Sequence, residues 1–389
     1  MKESTHPRRT GLLTALCMAA VLLAGCGSRA NAAAIDTAAP QPAAETDTLR
    51  PLRDDIAQMI IIGFRGQTAD SAVTRMVRDL KVGGVILFDY DAPTGKRHRN
   101  IGNPEQVRGL CAALQALSPE TLLIGIDQEG GNVSRLRTDY GFGPNRSAKA
   151  SAQGGADTVR RYAALCAEQL AALGINLNFA PCADVDVNPA CPVIGAMGRS
   201  FGADAHEVAE CCRIWVEEQG CRGVLSCLKH FPGHGSAGGD THKGLVDVSH
   251  TWQRSELEPY RQLAAEAPMV MMAHVVNRRI DPSGLPASLS AKAYACLRDT
   301  LGYSGLVITD DMGMGAITSH YGYADAIALA INAGADLLCL GNNSSTYNPD
   351  MARQTIDIVE QLVRQGRIDE QTVRRAAARV RQTKQQLKH

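Results

Sequence analysis

The sequence carries no net charge: forty lysines and arginines offset forty aspartates and glutamates over 389 residues. With no long run of one sign, the chain has no electrostatic footprint for nucleic acid, and a small neutral ligand suits it better. Metal signatures are missing too. There is no CxxC pair and no HExxH, so neither a zinc ribbon nor a helical zinc-protease site is encoded. His230 and His234 have the spacing of two ligands on one helical face, but Pro232 and Gly233 between them deny the helix. A metallohydrolase is therefore disfavoured and no cofactor is expected. Neither GxGxxG nor GxxxxGK[ST] follows the first strand-like run, which weakens a nucleotide-binding reading.

The apolar stretch from Leu12 to Ala24 is too short for a comfortable membrane span. Preceded by Lys2, Arg8 and Arg9, it reads as an export signal over residues 1–26. Its end, Leu23-Ala24-Gly25-Cys26, resembles the bacterial lipoprotein box, which implies cleavage before Cys26 and a lipid on that cysteine. The mature protein is then expected to be anchored to the bacterial cell membrane or outer membrane through that lipid alone. Residues 27–50, rich in Ala, Pro and Thr and poor in large apolar side chains, suit a flexible tether. Of the remaining cysteines, Cys211 and Cys212 are adjacent and ill placed to bridge each other, while Cys227 and Cys339 fall in apolar runs and are expected as buried free thiols. Bridges elsewhere stay open.

From residue 51 to 389 the chain reads as one catalytic domain. Short apolar runs (MIIIGF, VGGVILF, TLLIGID, INLNFAP, GVLSCLKH, MVMMAHV, GLVITDD, ADLLCLG) alternate with amphipathic stretches such as Asp157 to Leu173 and His206 to Glu218. Continuous apolar strands are what a parallel sheet buried on both faces requires. Eight such units predict an α/β fold of the (β/α)8 TIM-barrel type, with a doubly wound open sheet as the alternative. Polar residues cluster after the runs: Asp127-Gln128-Glu129, Asp184 and Asp186, Lys229-His230, His274, and Asp310-Asp311. In a barrel these ends share one face, so a single site is expected there.

The stretch KHFPGHGSAGGDTHKG, Lys229 to Gly244, holds three histidines and five glycines with few apolar side chains, and reads as a loop beginning at the end of the fifth strand. Together with IDQEGG, NFAPCADVDVNP, GRSFG and ITDDMGM, it resembles the signatures of family 3 glycoside hydrolases, in particular the β-N-acetylhexosaminidase branch, over roughly Leu52 to Gly341. The resemblance implies a retaining exo-β-N-acetylglucosaminidase acting on a small carbohydrate. Asp310 matches the nucleophile, His242 the acid/base and Asp240 its partner; Asp127, Arg199, Lys229 and His230 match sugar-binding positions. On that reading the glycines let a mobile loop carry the His-Asp dyad over substrate.

Two readings stay open for Asp127 and Arg199: sugar contact, or a salt bridge at the barrel rim. Asp311 is expected to be structural, since neighbours on a strand end point to opposite faces. His234 should shape the loop, and His274 either lines the pocket floor or satisfies a buried hydrogen bond. Asn132 departs from the arginine common after DQEGG, and Thr241 replaces a commoner serine but keeps the hydroxyl. A phosphorylase on the same scaffold and a non-catalytic sugar-binding lipoprotein are the competing functions; the second would be expected to lack Asp310, Asp240 or His242.

Overall fold

A computed structural model describes residues 50–387. The proposed signal (1–26) and Cys26 lie outside the described residues, as does the tether of 27–50 up to Arg50. Eight parallel strands form one sheet: β1 (Ile60–Gly63), β2 (Gly84–Leu87), β3 (Leu123–Ile126), β4 (Leu177–Asn178), β5 (Leu225–Phe231), β6 (Met269–Met272), β7 (Leu306–Thr309) and β8 (Leu338–Leu340). Each coincides with one of the eight apolar runs, β5 alone passing the end of its run, by one residue. Neighbours in the sheet follow chain order, β8 pairs with β1, and a parallel bridge between Ile308 and Leu337 joins β7 to the start of β8. The sheet is thereby closed into a barrel, and the open-sheet alternative falls away.

Side chains alternate across the barrel wall as period-two geometry demands. Ile61, Ile86, Leu123, Leu177, Leu225, Cys227, Met269, Leu306, Ile308 and Cys339 belong to the inner cluster, while Ile60, Ile62, Val85, Ile124, Leu228, Val270 and Val307 pack outward against the helices. β4 has only two residues, and asparagine side chains add to the backbone bonds that tie it to β3. Asn176 accepts from the Ile124 amide (2.7 Å) and donates to the Leu122 carbonyl (2.9 Å), and Asn178 does the same with the Gln128 amide (3.0 Å) and carbonyl (3.1 Å).

The helices include α1 (Leu52–Gln58), α2 (Pro104–Leu117), α3 (Ala156–Leu173), α4 (Ala205–Gly220), α5 (Tyr323–Ala333), α6 (Met351–Arg364) and α7 (Glu370–Gln386). α4 starts where the Asp204 carboxylate accepts the amides of His206 and Glu207, and α3 stops at Gly174 in the left-handed conformation. α7 returns to α1, where Asp55 takes Arg374 at 2.9 Å and Arg381 at 2.6 Å. Val380 and Leu387 join the inner cluster from the N-terminal side of the strands. Solvent access is then left to the C-terminal end. Cys227 and Cys339 are buried free thiols, as their apolar runs led one to expect. No described helix is long and apolar enough to cross a membrane.

Candidate active site

A cleft of about 670 Å³ opens at the C-terminal mouth and is lined by Asp127, Arg199, Lys229, His230, His242 and Asp310, contributed by four different strand ends. Asp240 stands behind His242. The expected residues are thus brought together, although one expectation about local structure changes. Lys229 and His230 do not belong to the loop: β5 runs on to Phe231. Between Leu228 and Phe231 this strand has one more residue than β6 has between Val270 and Met272, a bulge. Bulges re-aim side chains, and here both Lys229 and His230 line the cleft.

The loop proper splits in two. Residues 232–237 are buried, and a Cβ on Gly235 would lie 1.8 Å from the Val185 carbonyl, so that glycine serves close packing rather than motion. Gly238 and Gly244 have open space around them. Asp240 and His242 sit in this outer half. The Asp240 carboxylate accepts from the His242 amide at 2.9 Å and faces the imidazole Nδ1 at 2.7 Å. That contact leaves Nε2 as the ring nitrogen available for proton transfer. Thr241 is turned inward, and its hydroxyl meets His234 Nε2 at 3.1 Å. His234 lies outside the cleft and shapes the loop, as expected; burial pushes its imidazole down to about 4.

Asp310 follows β7. Burial by itself would raise its carboxyl, but the imidazoles of His274, His230 and His242 and the Asp311 amide outweigh that and hold it near about 2. It is an anion at any ordinary pH. Asp311 is spent on backbone: its carboxylate accepts from Gly313 at 2.9 Å and Gly341 at 2.8 Å, and burial raises it. His274 is no floor residue. Nε2 reaches the Asp311 carbonyl at 3.0 Å, so it carries the proton, and Nδ1 meets the Ser288 hydroxyl at 2.6 Å.

The opposite wall is a chain of alternating charge. Lys229 Nζ lies between Asp127 (2.8 Å) and Glu129 (2.7 Å), and Glu129 takes the Arg199 guanidinium in two bonds of 2.8 and 2.7 Å. Salt bridge and cleft lining are therefore not alternatives for Asp127 and Arg199; both hold. Burial would lower Lys229, yet its two carboxylates keep it above the ordinary lysine range. Arg199 Nη2 also approaches His230 Nε2 at 3.4 Å. A guanidinium only donates, so Nε2 is the acceptor and Nδ1 donates to Asp184 at 2.7 Å.

Glu129 and Asp184 stand at the shared face where the strand ends placed them, though neither carried an expected role there, and Arg135 joins them without a sequence signal. Arg135 lines the cleft 3.5 Å from Asp127. Buried cations need carboxylates, so Lys229 and Arg199 already called for partners among the acidic strand ends; only their pairing was hidden. Cys182, Asp184 and His230 have ligand-type atoms within 4.8 Å of one another. Asp184, however, is engaged by His230 Nδ1, the amides of His230 and His234, and the Cys182 thiol. The cluster is a hydrogen-bond hub that fixes β5's bulge.

An ionised carboxylate under a cleft, with a carboxylate-braced imidazole on the loop above it and neutral-polyol donors and acceptors on the far wall, places this barrel among the glycoside hydrolases. The glycosyl hydrolase family 3 N terminal domain matches residues 51–383. A β-hexosaminidase of Xylella fastidiosa strain M23 is 36% identical over 296 residues, covering 72% of this chain and 82% of its own. β-Hexosaminidase LpqI of Mycobacterium tuberculosis is 33% identical over 356 residues, 87% of this chain and 84% of its own. Among solved structures, a family 3 β-N-acetylglucosaminidase from Paenibacillus sp. str. FPU-7 superposes with a TM-score of 0.78 at 36% identity, over 87% of this chain and 63% of that one. M. tuberculosis LpqI superposes at 0.73 and 32% identity, over 86% and 94%. The chain belongs to glycosyl hydrolase family 3.

Proposed function

We propose that this glycoside hydrolase is a retaining exo-β-N-acetylglucosaminidase that removes terminal β-linked GlcNAc from peptidoglycan fragments or chitin-type oligosaccharides. The observation that carries the reading is the pairing, across one cleft, of an ionised Asp310 with a His242 braced by Asp240. Asp310 attacks the anomeric carbon while His242 Nε2–H protonates the departing oxygen, leaving a glycosyl ester on Asp310 and a neutral imidazole. The same imidazole then takes a proton from water, whose oxygen displaces the ester and restores Asp310. Asp240 accepts from Nδ1 and so presents Nε2 to the departing oxygen. Asp127, Arg199, Lys229 and His230 bind the hydroxyls and the acetamido-bearing ring. The names of the relatives support the sugar assigned.

The test is product stereochemistry together with covalent trapping. Proton NMR of early turnover on an aryl β-GlcNAc should show the β-anomer first, and a slow 5-fluoro glycosyl inhibitor should label Asp310. Asp310→Ala should cut turnover by roughly 10⁴-fold while sugar binding stays measurable. A label on Asp311, or the α-anomer first, sinks the assignment. Sugar 1-phosphate formed on adding phosphate would move the reaction to the phosphorylase class, and binding without turnover to the sugar-binding class.

A further inference from the structure

The cleft extends beyond the residues assigned above. After β2 a short antiparallel hairpin, Tyr90–Asp91 against Lys96–Arg97, rises at the rim. Tyr90 lines the cleft and is 42% exposed, one of two exposed large apolar side chains among the described residues. An exposed aromatic ring on a flexible loop would mean little, but this hairpin is pinned. Asp91 takes Arg65 at 3.0 Å and Arg99 at 2.5 Å. Asn343, after β8, accepts the Ala92 amide at 2.9 Å and donates to the Tyr90 carbonyl at 2.9 Å.

A continuous wall leads from this ring to the catalytic loop. Ser344 donates to the Gly313 carbonyl at 2.9 Å, and the Gly315 amide donates to the His242 carbonyl at 3.2 Å. Tyr90, Asn343, Ser344, Gly313, Thr318 and His242 all line the one cleft. The cations in the cleft lining are Lys229, Arg199 and Arg135, and Arg97, opposite Tyr90 in the hairpin, lies over the Tyr90 ring at 6.0 Å from its centroid. Asp89, also on this side, is neutralised by Arg97 at 3.0 Å.

Resting on the hydrolase reading above, we propose that this wall is the subsite for the leaving-group sugar and that the Tyr90 ring is its stacking platform. A rigid aromatic face costs little ordering to bind the C–H face of a pyranose. Hydroxyl and amide groups between it and His242 suit the hydroxyls of a sugar.

The experiment compares kcat/KM for chitotriose with that for β-GlcNAc fluoride, whose leaving group is too small to reach the ring. Tyr90→Ala should lower the chitotriose-to-fluoride ratio about tenfold, and Tyr90→Trp should preserve it. An unchanged ratio in Tyr90→Ala, with the circular dichroism of the parent, overturns the platform. Should the parent chain release fluoride and sugar from neither substrate, the hydrolase reading itself fails and the subsite with it.

Discussion

The Lys229 ammonium bridges two carboxylates of another strand end, 2.8 Å from Asp127 and 2.7 Å from Glu129, with all three side chains largely out of solvent. Removing the cation strands two acids next to each other. Lys229→Met should therefore cost about 3–5 kcal/mol in urea unfolding at neutral pH, with a smaller loss when Glu129→Gln is added. The deficit should shrink in acid, where the stranded carboxyls take up protons. A loss under about 1 kcal/mol, typical of exposed pairs, would contradict a buried bridge.

For the loop dyad, leaving-group dependence is the informative readout. His242→Ala should slow oligosaccharide hydrolysis by roughly 10²–10⁴-fold yet spare the glycosylation step for nitrophenyl glycosides, whose oxygen scarcely needs a proton. Asp240, held below the usual carboxylate range against burial by the His242 amide and imidazole, is an anion at working pH. Asp240→Asn should act more mildly, with the same greater loss on poor leaving groups. Equal losses on good and poor leaving groups, accompanied by a lower Tm, would make the dyad a mere brace for the turn.

Glu256, fully buried beneath the loop, accepts the Gln253 amide at 3.0 Å and sits against Gly233. Burial raises its carboxyl from 4.5 to about 7 despite that amide. Between those values the folded chain holds a proton that the unfolded chain has released. Stability should accordingly fall as pH climbs from about 4.5 to about 7 and then level, by at most about 3 kcal/mol from this group. Glu256→Gln should flatten the dependence when urea midpoints at pH 5 and pH 8 are compared. An unaltered slope would show that another group titrates.

Cys26 is proposed to carry the lipid anchor. Cys26→Ala should release the protein from membranes or leave the precursor uncut, as read by fractionation and N-terminal sequencing. Unchanged membrane association with an unchanged mature N-terminus would count against it.

Much of the architecture was legible because a barrel strand buried on both faces must be apolar without interruption, and eight such runs can be counted directly. Asp310 and His242 stood out for a different reason: their motifs are local, with Asp240 only two residues from the histidine it braces. The loop's first half was misread for want of a local cue. Polar Lys229 and His230 do not look like strand, and what keeps them in β5 is a bulge against β6 together with the Asp184 hub.

Pairing across the mouth was a matter for tertiary structure. Lys229 and Asp127 are 102 residues apart, and composition cannot say which acid meets which base once several strand ends carry both kinds. Barrel closure decides that, because it sets which ends are neighbours. The same holds for Tyr90. In sequence it is an aromatic in a polar turn; its position on the cleft rim depends on Asn343, 253 residues away, whose amide bonds to its carbonyl once β8 pairs with β1. Residue type and local spacing determined which chemistry was available, and the closed barrel determined which groups meet, because side chains far apart in sequence interact only where the backbone brings their ends to one mouth.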